Sequence, residues 1–213
     1  MILLASNENP LGMPESARRA AAAALEGAGN YPDSNGTALK NALAARLDVP
    51  ADWLTLGSGS SETLELAAQV SLKPGEGVVY SQYGFIVYAA ATAHAHAHAT
   101  VVPAREFGHD LDAMRAAIGD DTRLVFVANP NNPTGTFIDA APLLAFLQSV
   151  PAHVTVLLDE AYTEYLSPAQ RYDSIEWVRR LPNLIVARTF SKAFGLAGLR
   201  IGYGVSQPAL RRA

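Results

Sequence analysis

Hydrophobic positions along the chain alternate between two patterns. Short, nearly continuous apolar runs predict strands near 54–57, 77–80, 99–103, 123–128, 153–158, 184–187 and 200–204. Between them, apolar residues recur at three- and four-residue spacing. That period predicts helices at about 14–26, 37–47, 60–72, 84–93, 110–118, 139–149, 172–180 and 208–213. Pro14 and Gly27 bracket the first helix as start and stop residues. Strands alternating with helices imply a layered α/β fold around a mainly parallel sheet. No repeat or linker divides the chain.

Composition narrows the function classes. The 213 residues are 49% hydrophobic and 17% charged, as in a soluble globular protein. A net charge of -4 gives no electrostatic reason to expect nucleic acid or an anionic membrane as partner. With no cysteine, disulfide and thiolate chemistry are excluded, which suits a cytoplasmic location. The N-terminal MILLASNENP has no basic segment and does not read as a signal peptide, and no apolar run approaches the ~20 residues that span a bilayer. In the biased stretch TAHAHAHAT (92–100), a strand would put His94, His96 and His98 on one face, a way to build a metal site. Alanine is a poor strand former and no carboxylate flanks the run, so no metal site is expected. His109 and His153 read as solvated loop histidines.

The chemistry concentrates where three apolar strands break into polar residues. Leu124–Ala128 runs into Asn129-Pro-Asn-Asn132-Pro-Thr-Gly135, Val154–Leu158 into Asp159-Glu160-Ala-Tyr162, and Leu184–Ala187 into Arg188-Thr189-Phe-Ser191-Lys192. Ligands of open α/β sheets bind outside the carboxyl ends of the strands, so three such sets suggest one site. Of the three lysines, Lys40 and Lys73 read as surface residues, whereas Lys192 follows a buried strand and precedes the glycine-rich Gly195-Leu-Ala-Gly198-Leu-Arg200. A lysine in a crevice can lose its proton and form a Schiff base. An acid on the neighbouring strand is what a pyridoxal ring nitrogen needs to stay protonated, and Asp159 fits.

Six stretches carry a resemblance: ASNENPLG (5–12), YPD (31–33), LGSGSSE (56–62), ANPNNPTG (128–135), LDEAYTEY (158–165) and RTFSKAFGLAGLRIGY (188–203). Together they resemble the fold-type I, pyridoxal-phosphate-dependent aminotransferases of class I/II, and within them the histidinol-phosphate branch. The resemblance implies a three-layer α/β/α large domain with a mostly parallel seven-stranded sheet. Residues 1–30 would form an arm and first helix, and 31–213 the cofactor-binding domain, with the family's smaller C-terminal domain absent. It further implies a homodimer that moves an amino group between a small-molecule donor, histidinol phosphate, and the 2-oxo acid 2-oxoglutarate in histidine biosynthesis.

The family's roles fall on matching positions. Lys192 would bind the cofactor and shuttle protons, and Asp159 would pair with the pyridinium nitrogen. Asn132 and Tyr162 would hydrogen-bond the phenolic oxygen, and Phe85 would stack on the ring, with Tyr83 as the alternative. Backbone N–H groups of Ser60 and Ser61, with Thr189, Ser191 and Arg200, would hold the phosphate. Tyr31 would reach that phosphate from the partner subunit, and Asn7 would lie near the substrate. Position 61 departs from the acidic residue or asparagine usual in the family.

Singly, each residue has a plainer reading. Asn132-Pro133 suits a turn, Asp159 or the Ser58–Ser61 run a helix cap, Tyr162 and Phe85 ordinary packing, and Arg200 a surface ion pair. Two other readings use the same motifs: a related pyridoxal-phosphate-dependent decarboxylase and a catalytically inactive cofactor-binding fragment. A dinucleotide-binding oxidoreductase is disfavoured, because Gly57-x-Gly59-x-x-Glu62 lacks the third glycine.

Overall fold

The computed structural model describes residues 5–211. Seven strands form one sheet in the order β1-β7-β6-β5-β4-β2-β3: β1 Leu54–Ser58, β2 Gly77–Ser81, β3 His98–Val102, β4 Thr122–Ala128, β5 Thr155–Asp159, β6 Leu184–Thr189 and β7 Ile201–Val205. Only β7 runs antiparallel, to β1 on one side and β6 on the other. The central strands β4, β5 and β6 pair in parallel and are buried on both faces, which is why they read as continuous apolar runs.

Helices cover both faces. They are α2 Thr37–Leu47, α3 Gly59–Ser71, α4 Ile86–His94, α5 Leu111–Ala116, α6 Ala140–Ser149 and α7 Ser174–Arg180, whereas α1 Glu15–Ala24 buries none of its residues. Alternate strand residues point to opposite layers. Val125, Val127, Val156, Leu158 and Val186 pack with Leu43 of α2, Met114 of α5, Leu143 and Leu147 of α6 and Val178 of α7. Leu124, Phe126, Leu157 and Ile185 pack with Leu64 and Ala68 of α3 and Tyr88 and Ala91 of α4. Each fully buried Leu or Phe contributes about 1.5–3 kcal/mol of hydrophobic stabilisation. The result is the three-layer α/β/α architecture, and all seven expected strands are present. Among the described residues, no helix is long and apolar enough to cross a membrane.

Several sequence expectations need correcting. The helix expected at 172–180 starts at Ser174, because the Asp173 side chain accepts from the Ile175 and Glu176 amides and caps it there. Tyr172 is thereby left outside to stack on Trp177, with ring centroids 4.7 Å apart. The expected helix at 208–213 is a short 3₁₀ turn, Pro208–Arg211, and its last two positions lie outside the described residues. Lys40, read as a surface residue, is half-buried on α2. His109, read as solvated, is tucked against the end of β4, where its Nε2 accepts from the Ala128 amide at 3.0 Å. Burial pushes its imidazole down to about 4, so it stays neutral at physiological pH. His94 ends α4, His96 sits in a left-handed turn (φ 53°) and only His98 enters β3, so the three do not share a strand face. His98 pairs instead with Asp121 at 2.9 Å.

Candidate active site

The carboxyl ends of β1, β4, β5 and β6 lie at one edge of the sheet. Because β7 runs the other way, its leading residue Arg200 meets them there. A cavity of about 320 Å³ opens at this edge, lined among others by Ser60, Ser61, Phe85, Asn132, Asp159, Tyr162, Thr189, Ser191, Lys192 and Arg200.

Part of the cavity lining suits an anion. The first-turn amides of α3, including those of Ser60 and Ser61, have no intrahelical acceptor and form the positive end of the helix dipole. The Ser58 side chain makes no capping hydrogen bond, so nothing local occupies those amides as a cap. A Cβ at Gly202 would collide with the Gly59–Ser60 backbone, so only glycine lets β7 pack this close to the helix start. Thr189 Oγ1 donates to Ser191 Oγ at 2.9 Å and accepts from the Ser191 amide at 3.1 Å, which fixes both hydroxyls. The Arg200 guanidinium donates to Ser191 Oγ (3.3 Å) and to the carbonyls of Ala197 and Ser58 (both 3.0 Å). Among the described residues no carboxylate pairs with it, so it faces the cavity as a cation rather than forming the surface ion pair its sequence allowed.

The same cavity also holds an acid. Asp159, at the end of β5, is 5% exposed. Its Oδ1 accepts from the Ala161 amide (3.2 Å) and its Oδ2 from the Tyr88 hydroxyl (2.9 Å). It is not a helix cap, since the next helical turn starts at Thr163 behind Tyr162. Burial raises its carboxyl to about 6, opposed by the hydrogen bonds from Tyr88 and Ala161 and by Lys192, and aided by the neighbouring Glu160.

The loop after β4 presents Asn132 by consuming its neighbours. Asn129 is closed into the loop by Ile138 and Tyr172, and Asn131 by the Tyr83 carbonyl and Thr134. Asn132 Oδ1 and Tyr162 Oη converge on Asn7, whose Nδ2 donates to them at 3.3 and 3.1 Å. Lys192 Nζ lies 5.6 Å from the Tyr162 ring centroid and donates to the Ser6 carbonyl at 2.9 Å. Its ammonium is held below the usual lysine range by burial and by Arg200, against the pull of Glu8 and Asp159. Phe85 lines the cavity, whereas Tyr83 packs on Phe107 instead. Tyr31 lies outside it and is fully exposed.

Three groups escaped sequence reading. Tyr88 was hidden in a run of small helical residues. Glu160 and Arg188 form a buried ion pair at 2.9 Å, next in sequence to Asp159 and Thr189. Their partners lie 71 and 28 positions away, so no local signal could have found them.

The charge on Asp159 carries a testable cost. Below about pH 4 its carboxyl is protonated whether the chain is folded or not. Between about 4 and 6 it is protonated only in the fold, and above 6 the fold must hold a buried charge. Asp159→Asn is therefore expected to stabilise the cofactor-free protein at pH 7 by roughly 2–3 kcal/mol, a gain that fades below pH 6 and is gone near pH 4. His109 titrates in the same window with the opposite sign, losing stability as pH falls, but it is common to both proteins and cancels in the difference. Urea denaturation at pH 4, 5.5 and 7 measures this, and a pH-independent difference would exclude the assignment.

Comparison with known proteins places this geometry. The sequence profile "Aminotransferase class I and II" matches residues 1–213. The chain is 66% identical to histidinol-phosphate aminotransferase 1 of Cupriavidus pinatubonensis over 99% of its own length and 56% of that protein's. It is 62% identical to histidinol-phosphate aminotransferase 2 of Ralstonia nicotianae, with the same coverage of each. The crystal structure of histidinol-phosphate aminotransferase from Sinorhizobium meliloti in complex with pyridoxal-5'-phosphate superposes with a TM-score of 0.91 at 35% identity, covering 96% of this chain and 56% of that one. The chain thus spans about half the length of the relatives it matches. With the profile matched end to end, and a cavity built from lysine, buried aspartate and an anion cradle, the chain belongs to the class I and II aminotransferase family.

Proposed function

We propose that this chain carries the pyridoxal-phosphate site of a histidinol-phosphate aminotransferase, which moves an amino group from histidinol phosphate to 2-oxoglutarate. The observation that carries this reading is that one cavity is lined together by the anion cradle, the buried Asp159 carboxylate and Lys192, whose amine feels the charges of both Arg200 and Asp159. The donor set fits the cofactor. Ser60, Ser61, Thr189, Ser191 and Arg200 would hold its phosphate, Asp159 its ring nitrogen, Asn132 and Tyr162 its phenolic oxygen, and Phe85 a ring face. Bound there, pyridoxal phosphate supplies an aldehyde that amines attack and a cationic ring that withdraws electrons.

The chain's own residues supply the rest. Lys192, with its proton affinity lowered by burial and Arg200, can present a neutral amine for attack and then carry a proton at Nζ. Asp159 holds its negative charge in a site where water cannot screen it, so a cation on the far side of the contact is strongly favoured. Asn7 bridges Asn132 and Tyr162 and aligns the two groups that flank the reacting end. The exposed apolar residues Leu11, Leu25 and Tyr31 fit a second copy covering the arm and first helix, with Tyr31 reaching the partner's phosphate cradle.

The test is direct. Purified protein titrated with pyridoxal phosphate should gain visible absorbance that saturates at one cofactor per chain, sediment as a dimer, and transfer the amino group of histidinol phosphate to 2-oxoglutarate. No absorbance change overturns the cofactor site. Absorbance without transfer overturns the transferase activity of this chain in favour of a cofactor-binding role alone, and a monomer overturns the role of Tyr31.

A further inference from the structure

Asp159 is useful to a cationic ring only while it is ionised and correctly aimed, and burial works against the first condition. The structure supplies one side chain that acts on both. Tyr88, on α4, is 1% exposed, and its hydroxyl donates to Asp159 Oδ2 at 2.9 Å. The other carboxylate oxygen receives only a backbone amide, from Ala161, at a longer 3.2 Å. The Tyr88 ring is clamped. It stacks on Phe126 at 4.6 Å and 7°, and meets the edge of Phe85 at 6.1 Å and 88°. Its room is made by Gly84, where a Cβ would lie 2.9 Å from a Tyr88 ring carbon. Its backbone carbonyl is held by Thr92 Oγ1 at 2.7 Å.

We propose that Tyr88 is a positioning residue for the reaction, holding Asp159 ionised and aimed into the cavity while seating Phe85, the ring-facing aromatic. This rests on the cofactor reading above. Direction follows from chemistry. An ionised carboxylate can only accept, so the phenol must donate, and a donor to the charged form favours that form. Tyr88 can play this part because burial and the Asp159 charge push its own hydroxyl well above the ordinary tyrosine range, so it keeps its proton. The other titratable groups facing Asp159 are Glu160 and Tyr162 on its own segment and Lys192 from the β6–β7 connection. Glu160 opposes the charge and Lys192 supports it. Tyr88 is the side chain whose removal deletes a donor without deleting a charge.

The experiment compares pyridoxal phosphate affinity in the unaltered chain and Tyr88→Phe between pH 5 and 8.5, by titration of the absorbance change. The ratio of the two affinities cancels every titration they share, including the ligand's own. Losing one hydrogen bond to a charged group should move the Asp159 midpoint up by about one pH unit. The variant should therefore bind roughly tenfold more weakly at pH 5, about twofold more weakly at pH 7, and equally at pH 8.5. In an Asp159→Asn background, where nothing is left to ionise, Tyr88→Phe should change affinity equally at all pH values or not at all. A ratio independent of pH in the Asp159 protein would reduce Tyr88 to packing and overturn the proposal. The same pH-dependent ratio in the Asp159→Asn background would show that Tyr88 acts through some other group. Failure of the unaltered chain to bind at any pH overturns the cofactor reading, and the proposal with it.

Discussion

Lys192→Ala is expected to abolish covalent capture of pyridoxal phosphate and to slow amino-group transfer by at least the ~10²–10⁴-fold that one positioned acid–base group supplies. The chain has three lysines, and the cavity holds one of them. Lys40 sits on α2 and Lys73 in the turn after α3, neither lining the cavity. Lys192 lines the cavity with the anion cradle and the buried acid, and burial lowers its proton affinity. Its link to the Ser6 carbonyl is a single hydrogen bond at the rim, cheap to exchange for a bond to the cofactor. Borohydride reduction of the cofactor-loaded protein, followed by peptide mapping, should place the pyridoxyl group on Lys192 alone and find none in the alanine variant. An adduct on Lys40 or Lys73 would sink the assignment.

The second large effect concerns stability. Arg188→Leu should cost about 3–5 kcal/mol, because it leaves a buried carboxylate without its partner. Glu160 is wholly inaccessible. Its Oε2 accepts from Arg188 Nε and Ser174 Oγ, both at 2.9 Å, and its Oε1 has no hydrogen-bond partner among the described residues. Burial disfavours the Arg188 charge, but Glu160 and Tyr203 more than offset this and hold the guanidinium firmly protonated. The loss would be a large share of the ~5–15 kcal/mol that keeps a domain folded, a fall of roughly 6–20 °C in Tm for a chain this size. The pair also ties the ends of β5 and β6 together, one residue from Asp159 and one from Thr189, so cofactor affinity should fall with stability. Replacing both partners, as Glu160→Met with Arg188→Leu, removes the stranded charge and should recover most of the loss. Urea denaturation checks both variants. A cost under about 1 kcal/mol for Arg188→Leu would mean that water reaches Glu160.

Much of this protein follows from its sequence alone. The central strands β4, β5 and β6 were legible because a parallel strand buried on both faces is apolar along its length, and their apolar runs stop at Asn129, Asp159 and Arg188. The location of the site was legible for the same reason, since polar residues at three strand ends have only one edge of the sheet to occupy. Strand ends were harder. β5 and β6 continue through Asp159 and Thr189, polar residues that the apolar pattern leaves out, because pairing of Thr189 with Gly202 and of Asp159 with Ala187 extends the ladder. Both side chains are therefore carried on rigid strand rather than loop. The tertiary structure alone decided what the buried polar groups do. Tyr88 finds Asp159, Glu160 finds Arg188, and His109 becomes the acceptor for the Ala128 amide. Periodicity records which face of an element is buried, and that is set by neighbours within a few residues. Which polar group satisfies another inside the core is set by residues brought together from tens of positions apart, where an unpaired group costs about 1–3 kcal/mol and some partner must be supplied.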